Sequence, residues 1–105
     1  MSVDVTTDQT FEKDTANGVT LTDFWATWCG PCKMQSPAIE QLSEEIGDKV
    51  AFNKMDIDEN PETPSQFGIM SIPTLMIKKD GEVVETLVGF HPKEQVQQTL
   101  EQYID

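Results

Sequence analysis

Val19 to Ala26 is the stretch that most narrows what this chain can become. It combines β-branched and aromatic residues and carries one charge, Asp23, the pattern of a strand covered on both faces. Such a strand belongs at the centre of a sheet, with further layers on each side. The flanking sequence supplies them. Val3 to Val5 reads as a short strand, and Thr7 or Asp8 is placed to cap a helix ending near Asn17-Gly18. After Cys32, residues Ala38, Ile39, Leu42 and Ile46 recur at helical spacing, with Glu40, Glu44 and Glu45 elsewhere on the helix, until Gly47. Val50 to Ile57 is another strand, and Asp58-Glu59-Asn60-Pro61 breaks it before a short helix through Phe67.

Strand, helix, strand, helix is a parallel crossover pattern. The second half changes character. Thr74 to Lys78 and Val83 to Val88 are strands joined through Lys79-Asp80-Gly81-Glu82, where Asp-Gly is a strong hairpin signal, so they run antiparallel. Pro92 to Ile104, with Val96, Leu100 and Ile104 spaced by four, reads as a closing amphipathic helix. At 105 residues, without internal repeat or linker, residues 1–105 are expected to form one domain.

Charge excludes several roles. A net charge of −12 repels phosphate backbones and anionic membrane surfaces, so neither nucleic acid nor membrane is expected as a partner. The opening Met1 to Asp8 has neither a basic stretch nor an apolar run, which predicts no signal peptide and a cytoplasmic protein. In that compartment a structural disulfide is disfavoured, and a ring closed by Cys29 and Cys32 constrains the unfolded chain little. Two cysteines and one histidine cannot supply four soft ligands, so no metal is expected.

A coincidental pair of core cysteines remains, but it leaves Trp28 and the strand-to-helix junction unexplained. Phe24-Trp25-Ala26-Thr27-Trp28-Cys29-Gly30-Pro31-Cys32-Lys33 runs from the buried strand directly into a helix. Unpaired N–H groups and the positive end of the helix dipole stabilise an anion there, so Cys29 is expected to have a depressed pKa and to react as thiolate. Cys32, inside the first turn, should be the more covered of the two and stay a thiol until Cys29 is engaged. Gly30 is read as permitting a tight turn, and Pro31 as fixing a helix-compatible φ where its missing N–H costs nothing. Strand alternation aims Asp23 at an interior, where ionisation is costly; it is either a proton acceptor for Cys32 or a structural acid satisfied by hydrogen bonds.

From Asp23 to Met34 the chain resembles the signature of bacterial-type thioredoxins. Asp56-Ile57-Asp58-Glu59-Asn60-Pro61, Ser71-Ile72-Pro73-Thr74-Leu75, Lys79-Asp80-Gly81 and Val88-Gly89 stand in the family's order and spacing. The Gly-Pro dipeptide between the cysteines is similar to that of reducing thioredoxins, not glutaredoxins or oxidising periplasmic relatives. The resemblance implies an α/β thioredoxin fold, a central mixed five-stranded sheet flanked by four helices. It implies a thiol-disulfide oxidoreductase that reduces protein disulfides through Cys29 and Cys32, with Asp23 and Lys54 as a buried acid and its lysine partner.

It further implies that Pro73 is a cis proline facing the disulfide. Trp28, Ile57, Ile72, Pro73, Val88, Gly89 and Phe90 would then form an apolar collar where an extended substrate segment pairs with the backbone of Ile72. The electron donor implied is a flavin-dependent thioredoxin reductase drawing on NADPH. With no Gly-rich dinucleotide fingerprint, the chain is expected to bind no cofactor itself, and to act as a monomer. The alternative is a non-enzymatic binding subunit that uses the thioredoxin fold with an incidental dithiol; an oxidase or isomerase differs in redox potential.

Several positions depart from the family. Thr22 and Asn53 stand where small apolar residues are usual, and Lys78 replaces a common aromatic. Alternation puts Thr22 and Asn53 on the face away from Asp23, where they are expected to hydrogen-bond each other. Gln35 and Ser36 make the start of the helix after Cys32 polar, and Ser71 stands beside Ile72; their effect on partner choice is open. His91 is expected at the surface, while Met55 and Met76 are expected to pack.

Overall fold

The computed structural model describes residues 2–104. Its strands are β1 (Asp4–Val5), β2 (Val19–Trp25), β3 (Ala51–Asp56), β4 (Thr74–Lys79) and β5 (Glu82–Val88), and its helices are α1 (Phe11–Asp14), α2 (Gly30–Ile46), α3 (Glu62–Gln66) and α4 (Lys93–Glu101). They form one sheet in the order β1-β3-β2-β4-β5. β1 and β2 pair with β3 in parallel, whereas β4 runs antiparallel to both β2 and β5. β2 is thus the middle strand, buried along its length apart from its end at Trp25, as its composition requires.

Period-two alternation along β2 sorts the two cores. Val19 and Leu21 face α2 and α4, packing with Ile39 and Leu42 of α2, Val96 and Leu100 of α4, and Phe52, Leu75 and Ile77 of the sheet. Phe24 faces the other way, against Phe11 of α1, Met55 and Met76, with Phe67 and Ile69 near α3 partly covering them. The hairpin turn follows from its two residues: Asp80 (φ 51°) and Gly81 (φ 88°) both lie in the left-handed region that a two-residue turn between twisted strands demands.

Two local expectations are corrected. The first helix is a single turn, and at its start Thr7 Oγ1 accepts from Thr10 N (3.3 Å), while the carboxylate of Asp8 does not cap it. Instead Asp8 accepts from Glu62 N (3.2 Å), Thr63 N (2.8 Å) and Thr63 Oγ1 (2.7 Å), capping α3. Those bonds hold the Asp8 carboxyl below its ordinary value, outweighing the larger single effect of desolvation, which raises it. Thr22 and Asn53 are register partners on one face, but they do not bond: Thr22 Oγ1 and Asn53 Nδ2 are both buried without a partner among the described residues. Parallel register brings two side chains level without turning donor toward acceptor.

Lys78 is buried, with 3% of its side chain exposed. Its ammonium donates to Thr15 Oγ1 (2.9 Å), lies 3.6 Å from Glu12 Oε2, and sits 4.7 and 5.9 Å from the ring centres of Phe11 and Phe67. These contacts from α1 and the chain after α3 offset the desolvation of its charge.

Candidate active site

β2 delivers the redox pair. Beyond Trp25, Cys29 N donates to Ala26 O (3.2 Å), closing the turn that carries the chain from the sheet into α2. Cys29 is the N-cap of α2, extended (φ −88°, ψ 111°), and its Sγ accepts from Cys32 N at 3.2 Å. The sulfur therefore occupies the place a capping Ser or Asp oxygen would take, facing an unpaired N–H at the positive end of the helix dipole. The sulfurs of Cys29 and Cys32 are bonded to each other, with Cα atoms 5.3 Å apart.

Two expectations about the pair change. Cys29 and Cys32 are 3% and 2% exposed, so in the oxidised form the two are equally covered. The helix alone does not decide cover; Trp25, Ile57 and Ile72 pack over the cluster of Ala26 and both cysteines. Gly30 is a helical residue with nothing within 4 Å of where a Cβ would stand, and its φ lies outside the left-handed region, so no tight turn requires it. Pro31, in the first turn of α2, sits where its missing N–H has no helical partner to lose.

Asp23 lies on the α2 side of β2 and is buried, directly across from Lys54 on β3. Burial pushes its carboxyl up to about 7, and the Lys54 charge pulls it back only in part. Oδ1 of Asp23 has no hydrogen-bond partner among the described residues. Asp23, Lys54, Ser36 and Glu40 line a cavity of ≈ 20 Å³, room for about one water molecule. Ser36 and Glu40 also line a cleft of ≈ 290 Å³ that Cys32 borders.

The collar is partly assembled. Ile57 and Ile72 pack on the sulfurs, and Ile57 N donates to Trp25 O (3.0 Å). The Ile72–Pro73 bond is cis, and Gly89 N donates to Pro73 O at 2.8 Å, joining the two loops of the collar. Gly89 needs its glycine, with φ at 84°. Trp28 stands 67% exposed, its Nε1 donating to Asp58 Oδ2 at 2.8 Å. Val88 and Phe90 are exposed and lie outside the cluster packed on the sulfurs.

Sequence reasoning missed Trp25, Asp58, Ser36 and Glu40 as parts of this site. Alternation puts Trp25 on the face of Asp23, a signal that was available; the partner of Trp28, 30 residues on, left none.

Comparison with known proteins agrees with this geometry. The thioredoxin family model matches residues 2–102. Thioredoxin of Listeria monocytogenes is 59% identical over 98 residues, covering 93% of this chain and 95% of that protein. Thioredoxin of Bacillus subtilis is 54% identical over 104 residues, covering 99% and 100%. Among solved structures, Malassezia sympodialis thioredoxin superposes with a TM-score of 0.87 at 40% identity, covering 97% of this chain and 90% of that one.

Proposed function

The chain belongs to the thioredoxin family and is a thiol-disulfide oxidoreductase, a protein-disulfide reductase with Cys29 and Cys32 as its redox pair, and on that premise we propose the following division of labour. The observation that carries it is the Cys29 sulfur capping α2 and accepting the Cys32 N–H. In the reduced protein the same N–H and dipole stabilise a Cys29 thiolate. That thiolate attacks one sulfur of a substrate disulfide, forming a mixed disulfide and releasing the other substrate sulfur as a thiolate that takes up a proton. Cys32 then gives its proton toward Asp23 and attacks the Cys29 sulfur. The Cys29–Cys32 disulfide closes as the bond from Cys29 to the substrate breaks, the second substrate sulfur leaves as a thiolate that takes up a proton, and two electrons have passed to the substrate.

Asp23 suits the acceptor role because burial keeps its carboxyl poised near neutral pH, while Lys54 favours the charge once it forms. Gly30 and Pro31 set the spacing of the sulfurs at the first helical turn. Substrate segments lie extended along Ile72 and Pro73, flanked by Trp28, Ile57, Val88, Gly89 and Phe90. The oxidised pair is reset by a thioredoxin reductase using flavin and NADPH, neither held by this chain. We further read residues 1–105 as one monomeric cytoplasmic domain; no helix among the described residues is long and apolar enough to cross a membrane.

Reduction of insulin-type disulfides with dithiothreitol tests the scheme. Wild type should accelerate it, Cys29→Ser should lose the acceleration, and Cys32→Ser should accumulate a mixed disulfide with substrate by mass spectrometry. Full activity in Cys29→Ser refutes the assignment of the nucleophile. A non-enzymatic binding subunit, the alternative, would leave wild type without any acceleration for Cys29→Ser to lose.

A further inference from the structure

Gln35 is a fully buried amide on a largely apolar helix stripe: Cys32, Ile39 and Leu42 share its face at helical spacing. A buried amide requires partners, and this one finds both on a single residue outside the helix. Gln35 Nε2 donates to His91 O (3.0 Å), and Gln35 Oε1 accepts from His91 N (2.9 Å). The side chain thereby pairs with the backbone of His91 as a neighbouring strand would, 56 residues from it in sequence. His91 Nδ1 in turn donates to Gly89 O at 2.9 Å, and Gly89 N reaches Pro73 O.

The segment Gly89–Phe90–His91 is consequently tied at both ends. One tie runs to Pro73, next in the chain to the Ile72 that packs on the sulfurs, the other to α2 three residues past Cys32. We propose that Gln35 is a positioning residue for substrate selection: its amide fixes the Gly89–His91 wall of the substrate groove at a set distance from the redox pair. This rests on the docking mode proposed above. A protein disulfide, which must lay a stretch of backbone against that wall, depends on the tie; a small disulfide, which needs only the sulfur, does not.

Gln35→Met keeps the length and bulk of the side chain and removes both bonds. For the full chain, KM for insulin should rise about tenfold, the order expected when one or two hydrogen bonds of positioning are lost, while kcat changes little. Reduction of a small aromatic disulfide should stay within about twofold and the redox potential should not move. Amide exchange at His91 N–H should accelerate, which a purely packing role for Gln35 does not predict. Gln35→Glu serves if the methionine variant fails to fold: it keeps the acceptor for His91 N but not the donor, so KM should again rise.

An unchanged KM in either folded variant, or an equal loss with protein and small disulfide, overturns the proposal. Ile72→Ser separates the two layers. If it raises KM for insulin and Gln35→Met does not, only the Gln35 role fails; if Ile72→Ser leaves KM unchanged, the docking mode fails and the Gln35 role with it.

Discussion

Asp23→Asn makes the cost of the buried acid measurable. Asp23 sits on the middle strand with its carboxyl driven up to about 7 by desolvation, the Lys54 charge only partly opposing this. In the unfolded chain the same group titrates near its ordinary 3.8. Between those two values the folded protein holds a proton that the unfolded chain has released. Stability contributed by the neutral acid is therefore complete below the unfolded value and falls as pH rises toward about 7. The interval, at about 1.4 kcal/mol per pH unit, corresponds to roughly 4 kcal/mol lost on the alkaline side. Asparagine has nearly the same shape and never ionises. Denaturant unfolding of the oxidised protein across pH should show variant and wild type nearly equal at about pH 4, and the variant more stable by roughly 4 kcal/mol at about pH 9. Other carboxylates titrate in both proteins and cancel in the difference. A difference that stays flat within about 1 kcal/mol over this range, or grows toward acid, would refute the account of Asp23 as a desolvated acid.

Other substitutions probe the rest of the fold. Asp8→Ala removes the cap of α3 and should cost about 1–2 kcal/mol at neutral pH; because the Asp8 carboxyl is held below 3.8, the deficit should shrink as acid protonates the wild type, as urea titrations at neutral and strongly acid pH can show. Thr22→Val replaces an unpartnered buried hydroxyl and should stabilise by about 1 kcal/mol, with coupling to Asn53→Ala below about 0.5 kcal/mol in a double-mutant cycle. Lys78→Met keeps the methylene packing between Phe11 and Phe67 and gives up a desolvated charge, so thermal unfolding should find it within about 1 kcal/mol of wild type or more stable. Lys78→Ala leaves a cavity and should cost about 2–4 kcal/mol.

The fold was legible where structure depends on what lies nearby in the chain. β2 announced itself through eight positions with one charge, and the Asp80-Gly81 turn through the two residue types that tolerate positive φ. Local rules failed where a partner comes from afar. Asp8 is as good a cap for α1 as for α3 by composition; the choice is made by chain crossing that brings Thr63 to it across 55 residues. The same holds for Lys78, whose hydroxyl and aromatic neighbours come from α1 and the segment following α3. Alternation placed Thr22 level with Asn53 correctly, but facing is set by Cα geometry, whereas a hydrogen bond also needs the side-chain torsions.

The site follows the same division, and the division explains why the chemistry lies at the end of β2. A thiolate needs unpaired N–H groups, which a helix start provides from local sequence alone, so Cys29 was readable from its junction. The proposed proton acceptor needs a place shielded from bulk solvent, which only the assembled sheet provides. β2 is the one strand that enters α2 directly while being covered on both faces. It can therefore hold an acid beneath the helix and present a sulfur at its front within seven residues of chain, Asp23 to Cys29. Moving the pair to an edge strand would keep the capped sulfur but let solvent reach the acid, whose carboxyl would fall back toward 3.8 and no longer accept a proton at neutral pH. The stability that Asp23 sacrifices above neutral pH and its proposed part in receiving the Cys32 proton thus have a single cause, the burial of its carboxyl.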